Sequence, residues 1–92
     1  MHKFIKLTKN EVESYVNVSN ITAIDKINLS AAETVLIYYS SLRNNKVTIT
    51  AGPNTNLYEF IVDSVLKANN SSKTEIVFTP VNQPVLSILS YT

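Results

Sequence analysis

His2 is the only histidine in the chain, and there is no cysteine. A zinc site or an activated nucleophile usually draws on several such groups, and one imidazole beside a fraying terminus reads as a surface residue. Two pairs of carboxylates stand close in sequence, Glu11 with Glu13 and Glu59 with Asp63. Paired acids can shuttle protons or hold a divalent ion. The first pair falls in a polar turn and the second on the polar stripe of a helix, so both read as solvated faces. The single glycine, Gly52, leaves no phosphate-binding loop, and no Gly-x-Ser-x-Gly elbow occurs. These residues predict a protein that is not an enzyme, with no metal, no cofactor and no small-molecule substrate.

Basic and aromatic residues offer a sharper chemistry. Lys3, Lys6 and Lys9 punctuate the first strand, and Tyr38 lies near Arg43 and Lys46. A strand surface with a stacking ring and cations is what single-stranded nucleic acid requires. Eight Lys/Arg against seven Asp/Glu, net +1, is too even for a protein that grips duplex DNA by its phosphates. The competing reading is apolar. Residues 35–39 contain no polar break apart from the tyrosine hydroxyls, so Leu36 and Tyr38 need cover on the second face of their strand.

The elements that position these residues follow from hydrophobic period. Residues 3–9 alternate imperfectly and read as a strand. Residues 10–14 read as a polar turn, and residues 15–18 as a strand that pairs back. Ser19 and Asn20 mark a kink, because Asn tolerates the left-handed region. Residues 21–27 form a third strand, with Ile21, Ala23 and Ile27 on one face and Thr22, Ile24 and Lys26 on the other. Residues 28–33 connect to a hairpin: an arm at 34–39, a polar loop at 40–45, and an arm at 46–51. In the second arm Val47, Ile49 and Ala51 alternate with Lys46, Thr48 and Thr50. Gly52, free to take an unusual φ, and Pro53 end it.

One helix follows, over residues 57–68, with Asn56 as N-cap and Glu59 closing a capping box. Leu57, Ile61, Val65 and Ala68 share a stripe. Tyr58, Val62 and Leu66 widen the apolar arc to roughly 200°, more than an ordinary surface helix shows. Asp63 and Lys67 form an i,i+4 ion pair, and Asn69–Asn70 suits a left-handed C-cap. Strands at 74–79 and 85–91, with Pro80 and Pro84 bracketing the turn between them, read as a C-terminal hairpin. In the first, Ile76 and Phe78 share a face, and in the second, Leu86 and Ile88. The predicted class is α+β in one domain: an antiparallel meander of about four strands, a packed helix and a terminal β-hairpin.

The strand pattern Phe4-Ile5-Lys6-Leu7-Thr8, Tyr15 to Ile24, Thr34-Val35-Leu36-Ile37-Tyr38 and Val47-Thr48-Ile49, with a helix after it, resembles small FlbD-like flagellar and swarming-motility proteins and similar short bacterial and phage proteins. The likeness covers about residues 3–68. The 40–45 loop and the segment after Asn69 depart from it. What the resemblance implies is a meander-plus-helix architecture, without a flagellar role.

Ninety-two residues bury one modest core, and 45% hydrophobic against 16% charged residues is a folded balance. Seven Lys to one Arg, with eleven Asn, matches the output of AT-rich bacterial or phage genomes. No apolar run reaches the length of a membrane span, and residues 1–6 lack a signal-peptide core, which predicts an intracellular protein, in the cytoplasm or an infected host cell. Two apolar surfaces exceed what the chain can cover: Leu36 with Tyr38, and Tyr58 with Val62 and Leu66. They predict a self-associating structural or interaction module, a homo-oligomer. The alternative is a single-strand nucleic-acid binder using Lys3, Lys6, Lys9, Tyr38, Arg43 and Lys46.

Overall fold

Residues 3–29, 32–39, 46–71 and 74–91 are described by the structure, a computed structural model. Strands β1 (Phe4–Lys9) and β2 (Val12–Asn17) form a hairpin in direct register from Lys9/Val12 to Phe4/Asn17. Its loop is only Asn10 and Glu11, with φ of 50° and 67°. Positive φ at both positions marks a type I′ turn, whose twist matches that of the flanking strands. That geometry lets β2 begin at Val12, earlier than the polar run 10–14 implies.

Strands β3 (Ile21–Leu29), β4 (Ala32–Tyr39) and β5 (Lys46–Ala51) make an antiparallel meander. Pairing of Asn28 with Glu33 and of Leu29 with Ala32 extends the ladder into both ends of the expected connection at 28–33. Ladder hydrogen bonds there outweigh the poor strand propensity of Asn and Glu. The kink before β3 is present, with Asn20 at φ 63°.

Helix α1 (Leu57–Asn69) follows, then β6 (Val77–Phe78) and β7 (Leu86–Tyr91). The expected α+β class with antiparallel strands and one packed helix is what the chain adopts. The arrangement differs in detail: the described residues contain seven strands, in two sheets ordered β2-β1-β6 and β3-β4-β5-β7. The last two strands do not pair with each other. Strand β6 runs parallel to β1, and β7 antiparallel to β5. Strand β6 fills the second side of β1 and β7 that of β5, and the intervening residues, with Pro80 and Pro84, reach from one sheet to the other.

Two register shifts redirect side chains. In β3 the ladder slips between Ile21 and Ala23, so Ile21 and Ile24 both pack against the core while Ala23 and Ile27 face away. In β7 it slips opposite Thr50/Ala51, so Leu86 is buried, Leu89 packs inward and Ile88 is 48% exposed. One extra residue reverses the alternation beyond it. The expected sharing of a face by Ile21 with Ile27, and by Leu86 with Ile88, fails for that reason. In β6, Phe78 packs inward and Ile76, ahead of the strand, is exposed.

The core lies on one face of the larger sheet. Val35, Ile37, Val47, Ile49 and Ala51 meet Ile5, Leu7 and Val16 of the smaller sheet and Leu57, Ile61, Val65 and Ala68 of the helix, all nearly without solvent exposure. Burying each Ile, Leu or Val contributes about 1.5–3 kcal/mol. Ser64 is buried among them and its hydroxyl donates to the Phe60 carbonyl one turn back, at 2.8 Å.

The helix ends are held differently from expectation. Asn56 sits at φ 53° and ψ 41° and its side chain makes no cap bond, so the Asn56/Glu59 capping box does not form. In that conformation the Asn56 side chain cannot reach the first-turn amides. At the other end Asn70 has φ −94°, not the left-handed value. Gly52 also has an ordinary φ, and the unusual backbone falls on Asn54 and Asn56 instead. The Asp63–Lys67 pair closes at 3.0 Å.

Candidate interaction surface

Alternation along β4 places Val35 and Ile37 toward the core and Thr34, Leu36 and Tyr38 on the opposite face. Register extends that outer face across the sheet. Tyr38 stands between Ala23 and Lys46, and Leu36 between Asp25 and Thr48. Thr34 stands between Ile27 and Thr50, and Thr50 pairs onward with Ile88. The Thr34 and Thr50 hydroxyls meet at 3.2 Å. Leu36 and Tyr38 are partly exposed, and Ile27 and Ile88 are 43% and 48% exposed. Helix α1 and the smaller sheet both pack on the core side, so neither covers this face.

The helix flank is elsewhere. Lys26 pairs with Val35 on the core side, and its ammonium lies 5.3 Å from the centre of the Tyr58 ring. Tyr58 is half-buried and packs against the core. Val62 is half-buried, and Leu66 is 56% exposed. Leu36 and Tyr38 therefore sit on one side of the molecule and Tyr58, Val62 and Leu66 on the other. The five residues do not make one surface.

The basic residues do not converge either. The Lys3 ammonium donates to the Ala68 carbonyl at 3.2 Å and to the Ser71 carbonyl and hydroxyl at 2.9 Å. A cation there meets the negative end of the helix dipole. Lys6 forms an ion pair with Glu13 at 2.9 Å, and that bond raises its pKa. Lys9 ends β1 at the hairpin turn, a sheet away from Tyr38. Among the described basic residues, Lys46 alone stands beside Tyr38. Arg43 and His2 lie outside the described residues.

Several residues that position these surfaces carry no sequence signal. Glu33, on the core-facing side of β4, caps the helix from a distance. Its carboxylate accepts the N–H groups of Thr55 at 2.7 Å, Asn56 at 3.3 Å and Leu57 at 3.1 Å. The Thr55 bond, with those from Leu57 and Asn56, holds its pKa below the ordinary value against some desolvation.

Two tyrosine hydroxyls join the sheets. Tyr39 donates to the Asn17 carbonyl and Tyr91 to the Tyr15 carbonyl. In a two-residue hairpin the Lys9/Val12, Leu7/Ser14 and Ile5/Val16 pairs exchange hydrogen bonds, so the carbonyls of Tyr15 and Asn17 point away from β1. They lie on the open edge of β2, and the tyrosines occupy it. Burial, and secondarily the neighbouring Tyr91, pushes the Tyr39 hydroxyl up to about 12, and burial also raises Tyr91.

On the far edge of β1, the side chain of Gln83 imitates a strand. Its oxygen accepts the Thr8 N–H at 3.1 Å, and its nitrogen donates to the Lys6 and Pro80 carbonyls at 2.9 and 3.0 Å. No fixed spacing joins Gln83 to β1, or Glu33 to the helix, so only the assembled fold reveals either role.

Among the described residues no group of three or more His, Cys, Asp or Glu is placed to hold a metal ion. No helix there is long and apolar enough to cross a membrane. Comparison with known protein families, characterised proteins and solved structures returned no match.

Proposed function

We propose that this protein is a non-catalytic structural or protein-interaction module that associates with further copies of itself. The supporting observation is the outer face of the larger sheet. Leu36 and Tyr38 stand at its centre, Ile27 and Ile88 at its margins, and the helix and second sheet lie on the opposite side. An apolar sheet face that the helix and the second sheet leave uncovered is suited to contact with another surface. Light scattering at micromolar concentration tests the reading. The expected mass is at least twice 10.3 kDa, and a single species near 10.3 kDa sinks it.

A second reading has one observation in its favour: Lys46 stands directly across from Tyr38, a cation beside a stacking ring. Asp25 shares that face next to Leu36, and Lys3 and Lys6 are engaged elsewhere. A gel-shift series with single-stranded oligonucleotides at low and moderate salt separates the two readings. Retardation at low salt that disappears in both Tyr38→Ala and Lys46→Ala favours nucleic acid. No retardation at low salt removes it.

A further inference from the structure

Two sheets present four edges, and the edges differ in chemistry. At β2 the outward carbonyls of Tyr15 and Asn17 already accept tyrosine hydroxyls. The β6 strand has only two residues, and the Gln83 amide fills the next positions along β1. At the centre of β3, Asp25 points to one face and Lys26 to the other. Charges on an edge strand, especially one turned inward, are a common guard against edge-to-edge pairing.

Strand β7 has none of these guards. Leu86-Ser87-Ile88-Leu89-Ser90-Tyr91 contains no charge, proline or glycine, and no other strand of the described residues pairs with its second side. Tyr91 reaches Tyr15 through its hydroxyl, a contact that uses no N–H or C=O group of the β7 backbone.

We infer that the β7 edge is where a second copy of this chain docks, antiparallel strand to strand, making one sheet of eight strands across the pair. This rests on the self-association proposed above and names its route. An unpaired edge offers a row of N–H and C=O groups that an identical strand can satisfy.

Self-complementarity favours a second copy as the occupant. In an isologous antiparallel pair, one residue lies opposite itself and its neighbours exchange partners symmetrically. Along β3, an axis at Asp25 or Lys26 sets like charges against each other, which is destabilising. Along β7 every such axis opposes only Ser, Ile, Leu and Tyr. The symmetry also keeps the two outer faces on the same side, so each Leu36–Tyr38 surface continues into its partner's.

The chain has no cysteine, so a single introduced one reports position without background. An axis at position 87, 88, 89 or 90 keeps at least three of the six β7 residues paired on each copy. The experiment examines Ser87→Cys, Ile88→Cys, Leu89→Cys and Ser90→Cys under mild oxidation, with Ile27→Cys on β3 as the comparison. Facing residues of paired strands lie within disulfide reach, whereas adjacent residues point to opposite faces.

The expected result is a disulfide-linked dimer at one of the four positions, none at its immediate neighbours, and none at Ile27. Ser90→Lys and Ile88→Lys, which put like charges across the axis, are expected to weaken the dimer by at least about tenfold. A chain that sizes as a dimer but links at none of the four positions overturns the β7 edge and leaves self-association standing. A monomeric unsubstituted chain overturns both.

Discussion

The carboxylate of Glu33, at the start of β4, accepts the backbone N–H of Leu57, the first residue of the helix, at 3.1 Å. The same side chain accepts the Thr55 and Asn56 N–H groups, so one strand residue satisfies donors that a helix cannot pair internally. Glu33 thereby sets where the helix begins relative to the larger sheet. Its negative charge also meets the positive end of the helix dipole.

Replacing Glu33 by Gln is expected to lower the thermal midpoint and to flatten its dependence on acid. The folded pKa lies below the ordinary carboxylate value of 4.5. The unfolded chain therefore takes up a proton first as pH falls. The stabilisation is complete above the ordinary value and is lost as pH drops through the folded one. Thermal unfolding from pH 7 to pH 3 checks this: equal slopes for Glu33→Gln and the unsubstituted chain count against the cap.

Tyr39→Phe removes one hydroxyl between the sheets and leaves the Asn17 carbonyl without that donor. The expected loss is roughly 0.5–1.5 kcal/mol by urea unfolding. A pH signature accompanies it. The hydroxyl titrates at about 12 in the folded protein against an ordinary 10.0. Its contribution is whole below pH 10 and disappears as pH rises through about 12, because the unfolded chain ionises first. Tyr39→Phe is expected to shallow the alkaline fall in stability, with the remainder carried by Tyr91, whose pKa is also raised.

For Gln83 the informative comparison is Ala against Glu. Gln83→Ala loses the bonds to Thr8, Lys6 and Pro80 and is expected to cost roughly 1–2 kcal/mol. Gln83→Glu keeps an acceptor for Thr8 but turns a second acceptor toward the Lys6 and Pro80 carbonyls. It should be the less stable of the two at pH 7 and recover below pH 4, where the protonated carboxyl can donate again. Equal stability of Glu and Ala at pH 7 argues against the strand-like role.

Gly52→Ala is expected to be stabilising. The glycine has no positive φ, and a Cβ built there meets nothing within 4 Å. Reducing the freedom of the unfolded chain then contributes about 0.4–1 kcal/mol. A lowered midpoint in chemical denaturation would show that the turn needs glycine after all.

Local pattern carried a good share of this fold. The alternation of Val47, Ile49 and Ala51 marks a half-buried strand, and the stripe of Leu57, Ile61, Val65 and Ala68 marks the helix and its buried face. Asn20 shows its kink because Asn is one of the few residues that accept positive φ cheaply. Such features depend on neighbours a few positions away, which the sequence displays directly. Of the surfaces, the excess apolar character of residues 35–39 was equally legible, since an alternating strand does not need Leu36 and Tyr38 on its second face.

Tertiary structure decided the rest. Extra residues at the start of β3 and β7 turned Ile24 and Leu89 inward and Ile27 and Ile88 outward, and nothing local distinguishes a bulge from an unbroken strand. The helix stop and start depend on Lys3 and Glu33, which lie far away in sequence. Strands β6 and β7 pair with β1 and β5 and not with each other, and those two edges exist only in the assembled fold. Composition and periodicity alone determined that this chain carries more apolar surface than its single core can hide, because hydrophobic content and spacing are written residue by residue. Only the three-dimensional arrangement decided that Leu36 and Tyr38 stay partly exposed on one side while Lys26 lies over the Tyr58 ring on the other, because cover is a relation between elements brought together by folding.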